Sequence, residues 1–126
     1  MSYPDDQELH FGYNLLRETL IPELLGSEES DILYWGGKRI ARKYPAADID
    51  EIIQFFQEAG WGHLEWTNDK KRESQFEMST MPSKESIDRH MEAGYLAQQI
   101  EYQKGKPAET FIIEKRKRIM FQVQWD

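Results

Sequence analysis

Histidine, carboxylate and clustered basic side chains are the residues here that could do chemistry, and their spacing argues against an assembled site. The three histidines, His10, His63 and His90, fall on three separate stretches of the chain. A transition-metal site needs ligands at short helical spacing or on adjoining turns. These histidines have neither, so no metal is expected; His90, beside an apolar stripe, would be the first ligand to examine if one were found. There is no cysteine, which removes disulfides, thiolate metal ligands, a cysteine nucleophile and acylation on sulfur. Carboxylates are abundant, but acid–base catalysis needs one whose pKa is tuned by burial or by a neighbour. Helical periodicity puts Asp88, Glu92 and Gln99 on the polar side of their helix, where they read as solvated. Gly60-Trp61-Gly62 lacks the spacing of a phosphate loop and reads as a helix stop running into a strand. The basic runs Lys70-Lys71-Arg72 and Lys115-Arg116-Lys117-Arg118 would grip an anion only if the fold laid them together; apart, they are solvated turns. This inventory argues against an enzyme and for no cofactor.

The elements that must position these residues are easier to read. A first helix starts near Asp5 or Asp6, with Leu9, Tyr13, Leu16 and Leu20 as its buried stripe and His10, Asn14, Arg17 and Glu18 on the other side. Pro22, which has no amide hydrogen, is expected to kink or end it. Ser27 opens a second helix, with acids in its first turn and Lys38, Arg39, Arg42 and Lys43 in its last turns, an order that suits the helix dipole. Gly36, Gly37 and Ala41 interrupt this helix with small residues. Each glycine costs about 1 kcal/mol there, so close approach of another backbone is expected to offset the loss, from this chain or from a second copy. Asp48 and Glu51 form an aspartate version of the capping box ahead of Ile49, Ile52, Ile53 and Phe56, and Gly60 stops that third helix.

A hairpin follows, with Leu64 and Trp66 on one face of its first strand and Phe76 and Met78 on one face of its second. Ser83 or Ser86 caps a fourth helix predicted over Ile87 to Tyr102 at least, whose stripe runs Ile87, Met91, Gly94, Ala97 and Ile100. Gly105 and Pro107 end it. The last hairpin covers about Ala108 to Trp125, and its second strand alternates strictly through Ile119, Phe121, Val123 and Trp125. Three helices, a hairpin, a helix and a hairpin predict an α+β domain with a four-stranded antiparallel sheet.

With 126 residues, 39% hydrophobic and 13% aromatic, the chain suits a single domain, 1–126, with a real core. Its net charge of −7 disfavours non-specific binding to nucleic acid or to an anionic membrane. No apolar run approaches the roughly 20 residues of a membrane helix. The acidic start Met1-Ser2-Tyr3-Pro4-Asp5-Asp6 has no apolar signal core, so a soluble cytoplasmic protein is expected.

Four separated motifs carry a family resemblance: Tyr34-Trp35-Gly36-Gly37-Lys38 with Ile40-Ala41-Arg42-Lys43, then Glu58-Ala59-Gly60-Trp61-Gly62, then Glu92-Ala93-Gly94-Tyr95-Leu96-Ala97, and finally Val123-Gln124-Trp125-Asp126. In order and over nearly the whole chain, they resemble the YslB family of Gram-positive bacteria. That family in turn resembles vinyl-reductase-type small-molecule-binding domains and TRAPP vesicle-tethering subunits, which share the fold described as a ligand-binding domain of nitric-oxide signalling and Golgi transport. The resemblance implies an α+β domain, often dimeric, whose helices and twisted sheet can enclose an apolar cavity; it implies no activity. Vinyl-reductase-type domains carry cysteines near the last helix and hairpin, where this chain has Glu92-Ala93-Gly94 and Glu114-Lys115. A thiolate metal or a covalent acyl chain is therefore not carried over.

Two binding readings stand beside the disfavoured enzyme. One is a module for an apolar or amphipathic small molecule, with Tyr34, Trp35, Trp61 and Tyr95 as the pocket wall. The other is a protein-interaction module without such a ligand. A homodimer through the small-residue helix face is expected, with Leu33, Gly36, Gly37, Ile40 and Ala41 as interface candidates.

Overall fold

The computed structural model describes residues 11–79 and 87–126. The first helix, α1, is helical from residue 11, is wound as a π-helix over Leu15–Leu20 and ends with Ile21–Leu25. Then follow α2 (Glu29–Lys43), α3 (Ile49–Glu58), the hairpin β1 (Leu64–Lys70) and β2 (Glu73–Ser79), α4 (His90–Lys104), and the hairpin β3 (Ala108–Lys115) and β4 (Arg118–Trp125). The four strands form one antiparallel sheet in the order β1-β2-β4-β3. This is the predicted α+β order, with β3 and β1 at the two edges.

Several local expectations hold. The Asp48 carboxylate accepts from the Glu51 amide at 2.9 Å, and the Glu51 side chain accepts from Ala47. Gly60 and Gly105 stop their helices at φ +75° and +71°. Asp48→Ala should cost about 1 kcal/mol, read as a small drop in Tm with the fold retained.

Three local expectations are corrected. Pro22 does not end α1. The Ile21 amide bonds back to the Leu16 carbonyl, five residues earlier, and the helix continues through the proline at its first positions. Ser27 is not a cap: a 3₁₀ turn, Gly26–Glu28, stands there and α2 starts without a side-chain cap. The fourth helix starts at His90, not Ile87. The Asp88 carboxylate accepts from the His90 amide at 2.8 Å and fixes the start of the helix there. The proposed caps Ser83 and Ser86 lie outside the described residues.

The core lies between the sheet and the helices. Leu64, Phe76, Met78, Ile119, Phe121 and Val123 supply the sheet side, all buried. Phe55 stacks on Tyr95 with ring centroids 4.5 Å apart, and Trp61 meets Phe56 and Tyr95 edge-on at 5.0 and 5.4 Å. Each fully buried side chain of this size contributes about 1.5–3 kcal/mol. Burial pushes the Tyr95 phenol up to about 12.

α4 is the centre of the domain, packed on α2 on one side and on β3 and β4 on the other. Every residue from Glu92 to Ile100 is buried. Its polar residues are therefore not solvated, contrary to the expectation from periodicity. Gln99 donates to the Tyr44 carbonyl at 2.9 Å and accepts from the Ala46 amide at 3.0 Å, which ties down the chain between α2 and α3.

α2 and α4 touch backbone to backbone. A Cβ at Gly37 would collide with the Met91 carbonyl oxygen and stand 2.8 Å from the Tyr95 nitrogen; one at Gly94 would collide with the Tyr34 carbonyl oxygen. The close approach foreseen for Gly37 is thus internal. Ala41 and Leu33 are buried beside it, so these three of the interface candidates are covered by their own chain. Ile40 is half-buried against the core. Gly36 alone faces open space.

Candidate functional site

α1 is attached to the body by charge rather than by its leucines. Arg17, read as a polar-face residue, is 3% exposed. Leu16, Leu20 and Leu24, by contrast, are exposed, the last by 71%. Tyr13 and Ile21, four residues to either side of Arg17, are half-buried on the same face of the helix. The predicted stripe is therefore on the outer side, apart from Tyr13; Leu9 and His10 lie outside the described residues.

The Arg17 guanidinium donates to Glu92 Oε1, to the Asp88 carbonyl at 2.8 Å and to the Tyr13 hydroxyl at 2.5 Å. Glu92, fully buried in the first turn of α4, receives Arg89 on its other oxygen at 2.6 Å. Arg89 also donates to the Trp61 carbonyl at 3.3 Å. Burial by itself would lower the Arg17 pKa, but Glu92 and Tyr13 together, through charge and hydrogen bonds, outweigh it and the value is raised. Two arginines thus neutralise one buried carboxylate, which the N-terminal end of the α4 dipole also favours.

Beside this network, the Asp88 carboxylate accepts from Ser30 Oγ and stands 2.7 Å from His90 Nδ1. Burial tends to raise its pKa; the hydrogen bonds from Ser30 and His90 prevail and lower it. Glu29 is moved the other way, upward, by desolvation and then by the charge of Asp88. Ser30, Asp88 and His90 are the residue types of a hydrolytic triad in the wrong order. The hydroxyl bonds the carboxylate rather than the imidazole, so the base has no nucleophile to activate. Arg17, Asp88, Arg89 and Glu92 are thus engaged in holding α1, α2 and α4 together.

Two adjoining clefts open here, of about 470 and 680 Å³, sharing His90, Ile112 and Glu114. They run along β3, between that strand and the residues Arg17, Glu29 and Asp31 of the first two helices. Tyr34 closes one end of the groove: its hydroxyl accepts from the Thr110 amide at 3.2 Å. A further cleft of about 890 Å³ lies beyond Tyr34, lined by Lys38, Lys70, Lys71, Arg72 and Trp125 among others.

The four aromatic pocket candidates do not line one cavity. Trp61 and Tyr95 pack on each other in the core. Tyr34 lies on the grooves, and its phenol pKa is raised by desolvation. Trp35 is 60% exposed with the Arg39 guanidinium 5.1 Å from its ring centroid. The two basic clusters are also apart. Glu73, beside Lys70–Arg72, pairs with Gln124, whereas Arg118 pairs with Ser79, so the clusters sit at opposite ends of the sheet. His63 is exposed. Among the described residues no group of three or more histidine and acidic side chains is gathered to hold a metal ion, and no helix is long and apolar enough to cross a membrane.

Arg17 and Glu92 escaped the sequence reading because each was assigned to a solvated face. A signal for Glu92 was present: Ala93-Gly94-Tyr95-Leu96-Ala97 follows it with no polar residue at all, the pattern of a helix buried on every side.

Comparison with known proteins gives a consistent answer. Residues 10–124 match a family described as "Protein of unknown function (DUF2507)". The chain is 34% identical over 124 residues to the "Uncharacterized protein YslB" of Bacillus subtilis (strain 168), covering 92% of this chain and 84% of that one. Among solved structures it is similar to a vinyl-4-reductase family protein from Methanocaldococcus jannaschii, with a TM-score of 0.67, 21% identity, and coverage of 99% of this chain and 84% of that one. At that identity the likeness shows a common fold.

Proposed function

The chain belongs to the DUF2507 family, and from that premise we propose that it is a non-catalytic binding module that works as a homodimer. One observation carries the reading: α1 turns a charged residue inward and its leucines outward. Phe11, Leu15, Leu16, Leu20 and Leu24 are all exposed along one helix, and Ile32 and Trp35 are exposed on α2, the next helix in the chain. An apolar helical stripe in water is unfavourable, and covering a stripe of this kind is what drives helix–helix association. A second copy offers the same stripe, and pairing two of them about a two-fold axis satisfies both.

The non-catalytic part rests on the engagement of Glu92, Asp88 and Arg17 described above. A small apolar ligand is less supported, because Trp61 and Tyr95 are occupied with each other and with Phe55 and Phe56.

Leu16→Glu with Leu20→Glu tests the proposal. The variant is expected to run as a monomer while keeping its far-ultraviolet circular dichroism, since neither side chain is buried in the chain itself. A variant that keeps the oligomeric state of the unmodified dimer would place the interface elsewhere.

A further inference from the structure

The groove along β3 has three properties that the ion-pair network does not require. First, β3 is an outer strand, so among the described residues one side of its backbone has no neighbouring strand. The Ala108 amide on that side is met by Glu101 and the Thr110 amide by Tyr34. In an antiparallel strand the groups pointing to one edge recur every second residue. The next outward pairs belong to Ile112 and Glu114, and both residues line the groove. Open edge groups of this kind are a template for an added strand.

Second, two buried polar atoms in the groove walls are unused. Arg17 Nε and Thr110 Oγ1 have no hydrogen-bond partner among the described residues, and their residues are 3% and 7% exposed. Arg17 already donates to Glu92 and stands among Glu18, Glu29 and Glu114, so its remaining N–H suits a neutral acceptor such as a peptide carbonyl rather than a further anion.

Third, the walls are acidic. Glu18, Glu29, Asp31, Glu109 and Glu114 all line the two clefts, while Arg17 and Arg89 are both tied to Glu92. Burial, and after it the charge of Asp88, raises the Glu29 pKa.

We propose that this groove takes an extended peptide carrying lysine or arginine side chains, which adds to β3 as a further strand. Its backbone would pair with Ile112 and Glu114, and its basic side chains would lie among the acids. Main-chain pairing supplies the affinity and the alternate side chains the selection, as in other strand-addition complexes. The surface is separate from the outward leucines of α1, so this inference stands or falls apart from the homodimer.

The test is fluorescence anisotropy on the full chain with a labelled peptide of about eight residues, alternating lysine with valine. Two controls replace lysine with glutamate, or carry N-methyl groups on alternate amides so that the strand edge cannot pair. Both controls should bind at least about tenfold more weakly. Asp31→Lys with Glu114→Lys should weaken the lysine peptide by a similar factor. Ile112→Pro, tolerated on an edge strand whose outward amide has no partner among the described residues, should abolish binding with the fold intact. If Ile112→Pro does not fold, the N-methylated peptide still separates strand addition from charge. No binding of the lysine peptide, or equal binding of its N-methylated form, would overturn the proposal.

Discussion

Gly37→Ala is expected to destabilise the protein by about 3 kcal/mol or more, the upper part of the range for overpacking, whereas Gly36→Ala, one residue away, should stabilise it by about 0.5–1 kcal/mol. The two glycines sit in the same helix and carry the same intrinsic penalty. They differ in what a methyl group would meet. At Gly37 it meets the Met91 carbonyl and the Tyr95 nitrogen; at Gly36 it meets nothing within 4 Å among the described residues. Backbone atoms cannot swing aside as a flexible side chain can, so α2 and α4 would have to separate along their contact. Gly94→Ala should resemble Gly37→Ala, because the same contact is approached from the other helix through the Tyr34 carbonyl. Thermal and urea denaturation of the three variants measure this. Equal midpoints for Gly36→Ala and Gly37→Ala would contradict the packing described.

Glu92→Gln and Arg17→Met should each destabilise by about 3–5 kcal/mol, the usual result of removing one member of a buried ion pair. Glu92→Gln leaves Arg17 buried at 3% exposure with its strongest acceptor neutralised. Arg17→Met leaves Glu92 with Arg89 alone and unpins α1 from Asp88. Arg17→Met combined with Glu92→Gln should lose less than the two single changes summed, because neither member of the Arg17–Glu92 pair is then left charged without the other. Urea midpoints for the four proteins of this cycle decide the matter. Additive losses would mean that the two residues act independently, and α1 would need another anchor.

How much of this was legible follows from what decides each feature. The sheet and α3 are governed by local signals: the alternation of Ile119, Phe121 and Val123, the Asp48 cap and the glycine stops at Gly60 and Gly105. All of these act within a few residues, and the sequence displays them. The environment of α4 is governed by what surrounds it. Asp88, Glu92 and Gln99 were placed in water by periodicity because a single-sided stripe was assumed, and only the packing of α2 and the sheet about α4 removes that water. Arg17 failed for the complementary reason: its partner is 75 residues away, so nothing within its own helix marks its face as the buried one. The glycine pair was half legible. The need for a close backbone was read correctly, but nothing in Gly36-Gly37 says that Gly37 meets Met91 of its own chain.

The outward leucines of α1 make the oligomeric state the most direct test of the account. Sedimentation velocity of the unmodified protein at micromolar concentration should give a species of twice the 15.0 kDa chain mass, replaced by the single-chain species in the Leu16→Glu, Leu20→Glu variant. A single-chain species for the unmodified protein at that concentration would contradict the homodimer and with it the function proposed.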